Sequence, residues 1–253
     1  MKISAIVLTR NEERNIKDCL ASLSWADEML VVDSGSTDAT RVLAEKQGAK
    51  VVTHPFADFA AQRNFAMSQA TGDWVLFIDA DERVTPGLAG EITDLLKGPA
   101  PLRVYAIPRH NYFFGKRMRF GDSQADAPVR FFPRQHAAWA QPVHEKIATD
   151  LPVQRLRNPL LHYSTSDLAH YQQKIREYVP LEIEMMRAKG LRPSFLKVIF
   201  IPPLKFIQVY FFRLGIFDGL VGLQYAVLSA YCSFSKYWRY FNSANAPRRS
   251  EAE

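Results

Sequence analysis

The segment Trp74-Val75-Leu76-Phe77-Ile78 is an unbroken apolar run that stops at Asp79-Ala80-Asp81-Glu82. A run without polar alternation has to be covered on both faces. An extended segment covered in that way is a central strand of an α/β sheet. In an open α/β sheet, ligands gather beyond the carboxyl ends of the strands. Two carboxylates one residue apart at such an end can offer oxygens to a hard divalent cation, which in turn neutralises a diphosphate. By itself the Asp-x-Asp spacing is a weak signal, for which a solvated acidic turn is the commoner explanation, so its meaning depends on what the neighbouring strand ends carry.

The flanking sequence supplies those neighbours. Strands are expected over 3–8, 28–33 and 50–53, alternating with helices over 12–23, 37–47, 59–69 and 86–96. Ile16, Leu20 and Leu23 share one face of the first helix, and Thr85 with Pro86 marks the start of the last. Strands and helices alternating at this spacing imply βαβ units and a parallel sheet. Beyond residue 102 the pattern changes to short strands near 104–108, 118–120, 129–133 and 160–163. A long charged helix over 167–189 follows, then the aromatic and apolar stretch 195–241.

Three of the expected strand ends are polar: Thr9-Arg10-Asn11-Glu12-Glu13, Asp33-Ser34-Gly35-Ser36-Thr37-Asp38 and the Asp79–Glu82 cluster. In a parallel sheet these ends share one edge. Each could simply cap its helix, Asn11 the first and Ser36 or Thr37 the second. Capping, however, does not require an aspartate at the last position of two separate strands.

The series Val7-Leu8-Thr9-Arg10-Asn11-Glu12, Val31-Val32-Asp33-Ser34-Gly35-Ser36-Thr37-Asp38, Ala61-Gln62-Arg63-Asn64 and Phe77-Ile78-Asp79-Ala80-Asp81 resembles glycosyltransferase family 2, inverting enzymes with the nucleotide-sugar-binding GT-A fold. Within that family the chain looks most like lipopolysaccharide inner-core β-glucosyltransferases, through Val143-His144-Glu145 and the apolar C-terminal region. The resemblance implies a GT-A catalytic domain over 1–165, with a nucleotide-binding half (1–100) and an acceptor half (101–165). A helical membrane-associated region (166–241) and a loose tail (242–253) would follow. It also implies that Thr9, Glu12 and Asp33 hold the uracil and ribose of a UDP-sugar, Asp33 accepting from the base N–H. Arg63 would face the diphosphate, Asp79 would reach the ribose or the metal, and Asp81 would bind Mg²⁺ or Mn²⁺.

Inversion by direct displacement needs a carboxylate that takes the proton of the acceptor hydroxyl. The region Trp139-Ala140-Gln141-Pro142-Val143-His144-Glu145 is the expected source, with Glu145 as base and His144 contacting the diphosphate or orienting Glu145. The His-Glu pairing departs from the acidic pair of related families. Asp122 and Asp126 are the rival carboxylates, in a segment whose Arg117, Arg119 and Arg130 could grip an anionic acceptor. His162 is expected to close the metal site or touch the diphosphate.

Charge is unevenly spread. Residues 1–150 carry 18 Lys and Arg against 19 Asp and Glu, whereas residues 151–253 carry 14 against 7. In the C-terminal part basic residues are spaced among large apolar side chains. That pattern suits a helix lying in the headgroup layer of an anionic membrane and does not suit nucleic acid. A sheet cover or a homo-oligomer core is the alternative use of those apolar faces. Two separated cysteines, Cys19 and Cys232, form no disulfide framework, and the N-terminus shows no secretory pattern. The expected location is therefore the cytoplasmic face of the inner membrane, peripheral or monotopic, with a lipid-linked saccharide as acceptor. Rival readings are the same fold acting on polyprenyl phosphate or a protein, and a non-catalytic nucleotide-sugar scaffold. A nucleotidyltransferase would carry a glycine-rich phosphate loop where Thr9–Glu13 has no glycine.

Overall fold

A computed structural model of the chain describes residues 1–98, 102–121, 126–140 and 146–245. They gather into two compact units, Met1–His110 with Ala125–Ser164, and Asn111–Gln124 with Thr165–Glu253. Residues 111–121 thus cluster with the C-terminal helices, and the chain does not divide at a single point near 165.

The first unit is built on a seven-stranded sheet. Strands β1 (Ile3–Thr9), β2 (Glu28–Asp33), β3 (Lys50–Thr53) and β4 (Trp74–Asp79) lie parallel in the order β4-β1-β2-β3. Next to β4, β9 (Val129–Pro133) runs antiparallel, followed outward by β6 (Val104–Ala106) and β12 (Val153–Arg155). The expected α/β architecture with a mixed, mainly parallel sheet is borne out. Alternate residues of the central strands enter two separate cores. Ala5, Val7, Val31, Leu76 and Ile78 pack with α1 (Ile16–Ala21) and α4 (Pro86–Leu96). Ile6, Leu30, Val32, Val75 and Phe77 pack with α3 (Phe59–Gln69) and with Trp139 of β10 (Ala138–Ala140). Coverage on both faces is why these strands read as continuous apolar runs. Two pieces too short to carry a periodic signal complete this unit: β5 (Glu82–Val84), which pairs with β13 (Leu160–Thr165), and β11 (Lys146–Ala148), which pairs with β10.

Two helices start later than the sequence predicts. Asn11 adopts a left-handed φ of 57°, so the chain turns there, and α1 begins only at Ile16. The Thr37 N–H is donated to Asn11 Oδ1, and α2 (Thr40–Lys46) begins after that bridge. Neither Asn11, Ser36 nor Thr37 caps its own helix.

In the second unit, β7 (Arg109–Phe113), whose first residues belong to the first unit, turns through Phe114 and Gly115, both at positive φ, into β8 (Lys116–Arg117). The strand expected at 118–120 is absent there because the Arg119 and Phe120 N–H groups are donated to the Asp218 carboxylate, at 3.0 and 2.9 Å. Helix α5 (Leu168–Ala188), capped by Asp167, packs Ile175, Val179 and Ile183 against Tyr240 of α7 (Leu220–Asn245). Helix α6 (Phe195–Ile207) also packs on α7.

Candidate functional site

Strand register places the polar residues. Thr9 is the Cα partner of Asp33, and Leu8 that of Asp79, so the ends of β1, β2 and β4 lie side by side at one edge. The loops beyond them are laced together. Asn11 N–H donates to Ser36 Oγ at 2.8 Å, Glu12 N–H to Thr40 Oγ1 at 2.7 Å, and Ser34 N–H to the Thr9 carbonyl at 2.9 Å. The polar side chains that read as caps fasten one loop to the next.

Asp33 is fully buried. Its carboxylate accepts from the Gly35 and Ser36 N–H groups at 3.1 and 2.9 Å, from the Thr9 hydroxyl at 3.2 Å, and from the Ser36 hydroxyl. Those four donors fill its acceptor sites. Through these bonds Asp33 shapes the β2 loop. Glu12, half-buried, accepts from Asn15 Nδ2 at 2.8 Å.

The acidic cluster meets a set of buried arginines. Arg63, on α3, has its guanidinium 4.5 Å from the Trp139 ring centre, 5.5 Å from that of Phe77, and 3.5 Å from Asp79 Oδ1. Asn64 exchanges two 2.9 Å hydrogen bonds with the Trp139 backbone, which fixes β10 against α3. Arg130, buried in the middle of β9, donates to both Asp79 oxygens and lies 3.4 Å from Glu82 Oε1. Glu82 is fully buried, accepts from Arg109 at 3.1 Å and takes the Asp79 N–H at 2.9 Å. Arg109 in turn grips Asp126 through Nε and one terminal nitrogen, at 2.8 and 2.9 Å. Three guanidiniums thus neutralise three carboxylates. Burial alone would push the Asp79 carboxyl up; the charges of Arg130 and then Arg63 outweigh it and hold the group well below the usual carboxylate range. At Arg109 burial would lower the guanidinium's pKa, and Glu82 and Asp126 reverse that.

Asp81 lies beside His162. Its Oδ2 is 3.5 Å from His162 Nε2, and its carbonyl accepts the Tyr163 N–H at 2.8 Å, because β13 returns beside β5. Of the expected metal set Asp79, Asp81 and His162, the fold brings Asp81 and His162 together, while Asp79 turns to the arginines. Among the described residues no three His, Cys, Asp or Glu side chains converge as a complete metal cage. A carboxylate and an imidazole, both half-buried, still suit a hard ion that keeps water and phosphate oxygens as its other ligands.

His144, Glu145 and Asp122 lie outside the described residues. Asp126 accepts from Arg109, and Arg130 donates to Asp79. Glu82 and Arg109 were missed as site residues, and for Arg130, expected near an anionic acceptor, the pairing with Asp79 was missed. The signal for Arg130 was an arginine inside an otherwise apolar strand, which a buried position forces to find an acid.

The family model described as glycosyl transferase family 2 matches residues 4–155. A lipopolysaccharide core biosynthesis glycosyltransferase, LpsC of Rhizobium meliloti, is 29% identical over 245 residues, covering 91% of each chain. An uncharacterized glycosyltransferase of Rickettsia conorii is 47% identical over 92 residues, 36% of this chain and 33% of that one. Among solved structures, TarS 1–349 of S. aureus aligns over 96% of this chain and 92% of its own, at 18% identity and a TM-score of 0.49. Glucosyl-3-phosphoglycerate synthase of Mycobacterium tuberculosis, solved with Mn²⁺, UDP and glucosyl-3-phosphoglycerate, aligns over 44% of each chain, at 26% identity and a TM-score of 0.38.

Proposed function

The chain belongs to glycosyl transferase family 2, and from that premise we propose that it moves a hexose, glucose from UDP-glucose, onto a saccharide of lipopolysaccharide inner core with inversion at the anomeric carbon. The observation that carries this reading is the convergence of three strand ends on Arg63, Arg130, Asp79 and the Asp81–His162 pair. Similarity to LpsC over 91% of both chains supports this acceptor.

Thr9, Glu12 and Asp33 receive the nucleoside. Arg63 and Arg130 present two desolvated positive charges to a diphosphate, and their present counter-ion is Asp79. Asp81 and His162, flanked by Asp79, hold Mg²⁺ or Mn²⁺, which when bound stabilises the charge on the UDP leaving group. Glu145 takes the proton of the acceptor hydroxyl as that oxygen bonds the anomeric carbon and the carbon–oxygen bond to UDP breaks; His144 orients it. The helical part places the enzyme on the cytoplasmic face of the inner membrane, where a lipid-linked acceptor is presented.

The test is UDP release from UDP-glucose by the purified protein, with core-truncated lipopolysaccharide, polyprenyl phosphate or no acceptor. Transfer to the lipopolysaccharide is expected, and Asp81→Ala should abolish it while leaving the melting temperature unchanged. Turnover only with polyprenyl phosphate would move the acceptor assignment, and a fully active Asp81→Ala variant would refute the metal-site assignment.

A further inference from the structure

The connection between α6 and α7 is built tightly yet leaves its apolar side chains outside. Gln208–Phe212 forms a π turn and Gly215–Asp218 a 3₁₀ turn, with Leu214 between them at a left-handed φ of 60°. Arg213 N–H donates to the Gln208 carbonyl at 2.8 Å, and the Arg213 carbonyl accepts the Gly121 N–H at 2.8 Å. At Gly215 a Cβ would stand 2.8 Å from the Val209 carbonyl oxygen, so only glycine lets the chain pass that closely. A loose connection could fold its side chains inward; one pinned in this way cannot. Phe211, Phe212, Leu214, Ile216, Phe217 and Leu220 are nevertheless exposed, Phe212 at 80% and Phe217 at 69%.

Charge selects what covers them. From Phe195 to Arg239 the chain has five lysines and arginines and one acid, Asp218. That carboxylate accepts the N–H groups of Arg119 and Phe120, and the Phe120 ring lies 5.7 Å from that of Phe217. The latch holds the exposed Lys116, Arg117 and Arg119 beside the apolar turn. An apolar tip ringed by cations matches an anionic bilayer, with acyl chains beneath and phosphates above. A second copy would meet its own positive charge. Phe195–Phe212 is the one stretch among the described residues long and apolar enough to cross a membrane. Pro202 and Pro203 interrupt it, Lys197 and Lys205 lie within it, and α6 packs along α7, all of which favour a helix lying in the interface.

We propose that the turn from Phe211 to Leu220 is a wedge that enters the headgroup–acyl boundary of an anionic bilayer, and that Asp218 fastens the Lys116–Arg119 segment to it at the phosphate level. This deepens the membrane placement given above and is independent of the donor site.

Flotation of the full chain with phosphatidylcholine vesicles, with and without phosphatidylglycerol, tests it, with UDP-glucose binding followed separately by calorimetry. Wild type should float with the anionic vesicles. Phe212→Ser with Phe217→Ser should weaken that partitioning at least about 30-fold and leave nucleotide-sugar binding unchanged. Arg117→Ser with Arg119→Ser should weaken it roughly 25-fold on anionic vesicles, about fivefold per arginine, and not on neutral ones. A doubly substituted Phe variant that floats like wild type overturns the wedge. So does a wild type that ignores anionic vesicles, or one that dimerises in sedimentation through these phenylalanines.

Discussion

Replacing Arg130 by Met removes the guanidinium shared by Asp79 and Glu82 while keeping most of the apolar stem that fills β9's place in the core. Breaking a buried ion pair from one side costs about 3–5 kcal/mol, because the surviving charge is left without its partner. Neither acid is stranded here. Glu82, fully buried, keeps Arg109 at 3.1 Å and the Asp79 N–H at 2.9 Å. Asp79 keeps Arg63 at 3.5 Å, and its side chain is 36% exposed, so water screens part of what is lost. The expected loss is therefore at the low end, about 3 kcal/mol, or a drop in melting temperature of roughly 6–12 °C for a unit of this size. Thermal and urea unfolding of wild type, Arg130→Met, Asp79→Asn and the double variant measure both the loss and the coupling. Side chains in direct contact of this kind couple by about 1–2 kcal/mol once exposure is allowed for. A loss below about 1 kcal/mol, or additivity within about 0.5 kcal/mol, would refute the claim that this network is a cooperative buried unit.

Glu145→Gln should keep UDP-glucose binding and lower transfer by roughly 10²–10⁴-fold, the usual worth of a general base; near-normal kcat would return Asp122 to consideration. Glu91 on α4 accepts the N–H groups of Arg157 and Asn158 and the Asn158 side-chain amide. Partial burial would raise its pKa, but those bonds lower it below the ordinary 4.5. A depressed folded pKa contributes stability that is present above the unfolded value and lost as pH falls through the folded one. The melting-temperature gap between wild type and Glu91→Gln should therefore be widest above about pH 5 and narrow toward pH 3; a gap independent of pH would show that the carboxylate's charge is not what these donors hold.

What could be read ahead of the coordinates was whatever repeats locally. The boundaries of β2, β3, α3, α4 and β9 follow from apolar period, N-caps and the run of both-face-buried residues, and the observed spans coincide with the expected ones. The convergence of the β1, β2 and β4 ends needs one further rule, that βαβ units make parallel sheets, and the register obeys it. The late starts of α1 and α2 could not be read, because Asn11 serves Thr37 and Ser36 serves Asn11 across 25 and 26 residues. A polar loop residue has equal local reason to cap its own helix or bind the next loop, and only the tertiary approach decides.

The arginine network belongs to the same class of blind spot, with a difference. Which acid Arg130 meets depends on β9 entering antiparallel beside β4, a pairing about 50 residues long in sequence that no local period announces. That it must meet one was already implied. Val129-Arg130-Phe131-Phe132-Pro133 has room for a charge only if the sheet supplies its counter-ion. Of the other elements in that sheet, only the end of β4 offers two carboxylates within three residues of its last apolar side chain, at Asp79 and Asp81, with Glu82 one further on. A charged residue inside a buried strand therefore constrains strand pairing as well as chemistry. Here, once the strands of the sheet are given, it singles out β4 as the neighbour of β9 and puts Arg130 at the acidic end.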